Sequence, residues 1–127
     1  MFDVVLVIEI LRQIQEAVQR IERRFAPICT PDDFLATDEG TDRLDSICMM
    51  LIAIGESLKN LDRITGGALL ERYPTVDWKG AKGVRDVISH NYFDLNTDAV
   101  FGICNKHIPG LAETIKIMIE ELEKSGA

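Results

Sequence analysis

Between Leu44 and Leu61 six apolar residues, Leu44, Ile47, Leu51, Ile54, Leu58 and Leu61, alternate three and four positions apart. At about 3.6 residues per turn this spacing lays all six along one face of a helix. A strand would repeat its buried face every second residue, which this stretch does not do. A helix with such a seam gains nothing until the seam is covered by other helices, so it commits the chain to helical packing.

Other segments can supply those partners. Val7, Leu11, Ile14, Val18, Ile21 and Phe25 form a second stripe at helical spacing. Upstream of it, Val4 to Ile8 is apolar all round and β-branched, but its continuity with the stripe favours helix. An end that is apolar on every side must be covered, either by the core or by another subunit. Pro27 ends this helix, and Thr30 before Pro31 offers an N-cap and first position for a short turn, Pro31 to Ala36. Thr37 to Thr41 reads as a polar, acidic loop, and Gly66-Gly67 closes the second helix. A short piece, Ala68 to Arg72, stops before Pro74.

Asp77 is an N-cap for a third helix, Trp78 to about Ser89. Gly80 and Gly83 each weaken that helix by roughly 1 kcal/mol relative to alanine, which suggests close approach of another backbone or a ligand. After a loop at Asp94 to Asn96, with Asn96 or Thr97 as cap, the last stripe runs Val100, Cys104, Ile108, Leu111, Ile115, Met118 and Leu122. Pro109 inside it should kink the helix or remove one hydrogen bond. The class is all-α: an antiparallel four-helix bundle with short extra helical segments, one domain over residues 1–127.

Hydrophobic residues at 46% and charged residues at 28% exclude a disordered chain. Fourteen Lys plus Arg against 21 Asp plus Glu give 14 − 21 = −7, a field that opposes indiscriminate nucleic-acid binding. The three cysteines, Cys29, Cys48 and Cys104, form no C-x-x-C pair, and Cys48 and Cys104 read as small core residues. With two histidines a zinc site is poorly supplied, and no metal or other cofactor is expected. The expected setting is reducing and cytoplasmic. The N-terminus lacks a basic n-region, so no signal peptide is expected, and no apolar run nears the roughly 20 residues of a membrane span.

One stretch stands apart. Residues 78–92 hold three cations, Lys79, Lys82 and Arg85, with His90 and Tyr92. On a continuous helix Arg85 and His90 lie about 140° apart, so they converge only if the helix ends near Ser89 and His90 turns back. One reading is structural: Arg85 caps carbonyls and His90 ties down the loop. The other is metal-independent RNA cleavage, in which a group titrating near neutrality takes the ribose 2′-OH proton and a fixed cation meets the charge developing on phosphate. Histidine and arginine suit those tasks. Tyr92 could stack a base or bind a phosphate.

The wider order is Ile54-Gly55-Glu56, then Tyr73-Pro74-x-Val76-x-Trp78, then Gly83-x-Arg85-Asp86, then Asn91-Tyr92-Phe93 and Pro109-Gly110-Leu111. From about Asp42 to Leu122 it resembles the HepT-like toxins of the HEPN ribonuclease superfamily, most sharply in the R-x4-H-x-Y signature met by Arg85, His90 and Tyr92. A polar residue, often asparagine, follows the arginine in that family, and here it is Asp86. The resemblance implies a homodimer whose facing motifs form one RNA-cleaving cleft. It also implies a nucleotidyltransferase antitoxin that adds AMP to the signature tyrosine, which maps onto Tyr92. Two facing basic patches would double the local positive charge.

Asp86, Asn91, Glu56 and Lys82 are supporting candidates. Glu56 follows Met49 and Ile52 on one row, which suggests a partly buried carboxylate paired with Arg85 or Trp78 Nε1. His107 reads as a structural histidine, Trp78 as a core anchor, and the acidic run Asp32 to Asp45 as a solvated face or a docking surface for a basic partner. Three functions remain in play: an endoribonuclease toxin; a non-catalytic helical partner and modification substrate of a nucleotidyltransferase; and a plain four-helix protein with a vestigial motif.

Overall fold

The computed structural model describes residues 2–88 and 95–126. Its elements are all helical: α1 (Val4–Phe25), α2 (Asp33–Ala36), α3 (Asp38–Thr65), α4 (Ala68–Glu71), α5 (Trp78–Lys82), α6 (Val84–Ile88), α7 (Thr97–Gly102), a π-helical turn (Ile103–His107) and α8 (Ile108–Gly126). Among the described residues no β-strand is formed, so the chain is an all-α bundle. The Arg43 guanidinium of α3 donates to the Arg24 carbonyl at the end of α1 (3.3 Å), so these two helices run antiparallel. Phe25 meets Phe101 edge-on (5.2 Å between centroids), and Arg12 pairs with Glu123, so α1 also runs antiparallel to the last helix.

Every residue of the α3 seam is buried, none more than 4% exposed. The stripe of α1 is buried from Val7 to Ile21, with Phe25 half-buried between Phe34 and Phe101. All seven residues of the last stripe are buried as well. Full burial of one such leucine or isoleucine is worth about 1.5–3 kcal/mol, so these three faces hold the molecule together.

Several local expectations need correction. The start of α1 is helical, with the Asp3 carboxylate accepting from Leu6 N–H (3.2 Å), yet Val5 and Leu6 remain 77% and 39% exposed: the core does not cover them. Thr30 is not the cap of the short turn. The Asp33 carboxylate instead accepts from the N–H groups of Cys29 (2.7 Å) and Thr30 (3.0 Å), because it can reach back over two donors at once. Those bonds, that of Cys29 first, hold the Asp33 carboxyl below its ordinary value.

Residues Thr37 to Thr41 are not a loop. Thr37 Oγ1 accepts from Gly40 N–H (2.9 Å), so α3 begins at Asp38, with Asp38 and Glu39 well placed against the positive end of the helix dipole. Gly40 is buried, and a methyl there would stand 2.2 Å from the Asp33 carbonyl, so α2 packs directly on this turn. At its other end α3 closes on Gly66 at φ 61°.

The expected third helix is two single-turn helices, α5 and α6, separated at Gly83. Pro109 leaves the last helix without one backbone donor, as expected. The turn before it widens to π geometry, and Ile108 N–H reaches back to the Ile103 carbonyl. A wider turn eases the clash between the proline ring and the carbonyl four residues earlier.

Candidate functional site

Asp77 opens α5 as expected, its carboxylate accepting from Gly80 N–H (3.0 Å). A Cβ at Gly80 would meet only that carboxylate, the end of a flexible side chain, and no second backbone lies against this glycine. The half-buried Trp78 packs on the core and donates from Nε1 to the Tyr73 carbonyl (2.9 Å), so it anchors the start of α5. Gly83 N–H closes α5 on the Lys79 carbonyl (3.1 Å), and Asp86 N–H then bonds the Gly83 carbonyl (3.1 Å) to start α6. The close backbone contact sought at Gly80 and Gly83 lies across the interface instead. At Gly55 of α3, an added methyl would sit 3.0 Å from the Ala81 carbonyl and 3.4 Å from that of Lys82.

Arg85 and Asp86 are both exposed on α6, while Val84 and Ile88 of the same turn are buried and hold it to the bundle. Among the described residues Arg85 makes no ion pair, with Asp86 or any other acid. Its exposed guanidinium thus keeps its hydrogen-bonding fork clear of every acid among the described residues. His90, Asn91 and Tyr92 lie outside the described residues. The two described flanks of that segment meet: Asn96 N–H donates to the Ile88 carbonyl (2.9 Å). Asn96 also caps α7 through Ala99 N–H (3.0 Å).

The supporting residues divide. Glu56 is exposed and pairs with Lys59 (2.9 Å), not with Arg85 or Trp78. Of the row it continues, Ile52 is partly buried but Met49 is 67% exposed, and Glu56 itself lies in solvent, where a carboxylate needs no buried partner. Lys82 is not a free cation: its Nζ lies 2.5 Å from Asp62 Oδ2, with both side chains under a third exposed. Sequence reasoning missed Asp62. The available signal was an acid in the last turn of α3, where the helix dipole disfavours negative charge.

A groove of about 340 Å³ runs between α3, α5–α6 and the π turn, with Leu51, Ile54, Val84 and Val87 on its walls and Lys106 and His107 at its edge. His107, beside the buried stripe, is exposed at the edge of this groove. Arg85 does not point into this groove. On α6 it stands about 100° from Val84 and about 160° from Val87.

Three other ionisable side chains are shifted by their surroundings. Burial pushes the thiol of Cys48 up to about 11 and that of Cys104 up to about 12, so neither is a nucleophile near neutrality. Burial and the Glu121 carboxylate, to which it donates, push the Tyr73 hydroxyl up to about 12. Among the described residues no group of three or more His, Cys, Asp and Glu side chains is gathered where it could hold a metal ion. Among them, too, no helix is long and apolar enough to cross a membrane.

The family described as "Ribonuclease HepT-like" matches residues 14–118. The chain is 32% identical over 94 residues to "Putative RNase MJ0127" of Methanocaldococcus jannaschii, covering 74% of this chain and 72% of that protein. It is 30% identical over 115 residues to "Gamma-glutamylcyclotransferase and putative RNase MJ0434" of the same organism, covering 91% of this chain and 48% of that one. A third relative, "Putative RNase TTE0752" of Caldanaerobacter subterraneus, is 32% identical over 68 residues, 54% of this chain and 57% of its own. No solved structure matches the chain. The match spans α3, the α5–α6 pair with Arg85, and most of the last helix, and the chain belongs to the HepT-like ribonuclease family.

Proposed function

We propose that this chain is a metal-independent endoribonuclease, the toxin of a toxin–antitoxin pair. The observation that carries the reading is Arg85: an exposed guanidinium without an ion-pair partner among the described residues, at the head of the R-x4-H-x-Y signature in a HepT-like chain. In this reaction His90 takes the proton from a ribose 2′-OH. The 2′-oxygen attacks the adjacent phosphorus, and the 5′-oxygen leaves with a proton, giving a cyclic phosphate and a free 5′-hydroxyl. Arg85 holds the phosphate oxygens while charge builds on them.

Two copies complete the site, with their motifs facing across one cleft. Val87, 54% exposed two residues after Arg85, is an apolar side chain that a second protomer would cover. A nucleotidyltransferase antitoxin silences the cleft by transferring AMP to the Tyr92 hydroxyl. The phosphodiester it adds carries negative charge and competes with substrate phosphate for Arg85.

The test is cleavage of RNA by the purified, unmodified dimer. Arg85→Ala and His90→Ala should each lower the rate by about 10²–10⁴-fold with the fold intact, and EDTA should have no effect. Wild-type rates from His90→Ala would remove the assignment. Co-expression with the antitoxin should add the mass of AMP to the peptide containing Tyr92, and none in Tyr92→Phe. A second reading, a non-catalytic partner and modification substrate of the nucleotidyltransferase, draws support from the net charge of −7 and the exposed Asp86 beside Arg85. It predicts AMP on Tyr92 without cleavage by the unmodified chain.

A further inference from the structure

We propose that Asp62 is a positioning residue for Arg85: through Lys82 it clamps the α5–α6 break, and with it the arginine, to the end of α3. The catalytic consequence rests on the ribonuclease reading above; the clamp rests on geometry alone.

No side chain of α5 is fully buried; Trp78 and Ala81 are partly buried against the core. Trp78 secures its start, and its end is secured by the 2.5 Å bond from Lys82 Nζ to Asp62 Oδ2. Immediately after Lys82 comes Gly83, where the chain leaves one helix and begins the next, and Arg85 follows two residues later. A break of this kind has no continuous ladder of helical hydrogen bonds to fix its angle. Its orientation must come from contacts outside itself.

Helix α3 supplies two of them. At Gly55 it lets the Ala81 and Lys82 carbonyls come close, and seven residues on, about 10 Å along the axis, Asp62 takes the Lys82 ammonium. Asp62 is itself well held. Its carbonyl accepts from both Gly66 and Gly67 N–H at the left-handed close of α3. The carboxylate works against the dipole of its own helix, so α3 has no use for it there; the lysine of another element does. Both side chains are less than one-third exposed, which spares the pair much of the screening that weakens surface bridges.

The experiment uses the full chain. Alanine suits the last turn of α3 better than aspartate, so Asp62→Ala should fold without difficulty. Hydrogen exchange at the amides of residues 80–88 should quicken by about tenfold or more, while the α1 amides keep their protection. In RNA cleavage kcat should drop about 10- to 100-fold with KM within about threefold, since the loss is of orientation rather than of substrate contacts. The exchanged pair, Asp62→Lys with Lys82→Asp, should recover both readouts to within about threefold of wild type. Unchanged exchange at 80–88 in Asp62→Ala would overturn the clamp. Faster exchange with unchanged kcat would overturn the positioning role. A wild-type chain that cleaves no RNA would instead sink the ribonuclease reading, and the exchange experiment would still decide the clamp.

Discussion

Helix α3 and the α5–α6 pair touch along much of their length yet are built on opposite terms. Helix α3 runs 28 residues, capped at both ends, with a seam whose every member is buried. The α5–α6 pair is two helices of five residues each, broken at a glycine, with Val84 and Ile88 as its only buried residues. The first is stable because its burial is continuous. The second holds its shape because α3 grips it, at Gly55 and at Asp62. That division leaves Arg85 on a short, exposed turn and backs it with a long, capped helix whose seam is fully buried. Preorganised chemistry needs both conditions: a group open to substrate, and a support that does not move.

The contrast predicts unequal responses to substitution. Leu58→Ala, in the fully buried seam, should cost about 2–5 kcal/mol, read from urea unfolding. Lys79→Ala, exposed on α5, should stay within about 0.5 kcal/mol of wild type. Similar losses at the two positions would erase the distinction between framework and passenger.

Gly55→Val sharpens it at the contact itself. Its side chain would press on the Ala81 carbonyl, which as backbone cannot swing aside, and should cost about 1–3 kcal/mol in thermal unfolding. Gly102→Ala, where an added methyl meets nothing within 4 Å, should be neutral or gain up to about 1 kcal/mol. A harmless Gly55→Val would mean that α5–α6 does not depend on close approach to α3.

The smallest effect concerns the edge of the framework. Asp33 titrates below its ordinary value of 3.8 in the folded chain. It therefore contributes stability above that value, and the contribution fades as the pH falls through the folded pKa. Asp33→Ala should be slightly less stable than wild type at pH 7, and the gap should close as the pH is lowered below 3.8. A gap that persists unchanged into acid would show that the carboxylate's charge plays no part.

Much of the framework was legible in residue order because its causes are local. The seam of α3 and the stripes of α1 and the last helix follow from a 3.6-residue period, and the caps at Asp77 and Asn96 from side chains that reach three residues ahead. Arg85 was legible as a candidate by the company of His90 and Tyr92 in one signature. Burial was harder to read. Glu56 continues an apolar row, yet it is exposed, because periodicity places residues on a face without saying how far the neighbours cover it.

The sequence by itself determined the helical class, the three long apolar faces and the signature around Arg85. Only the tertiary structure decided that the third helix breaks at Gly83, that Lys82 is spent on Asp62, and that Gly55 is the point of close approach. Helical period and capping act within a few residues of chain, so they can be read along it. The break is set by contacts between residues 20 to 30 positions apart, whose meeting depends on how α3 and α5 pack rather than on what either spells out alone.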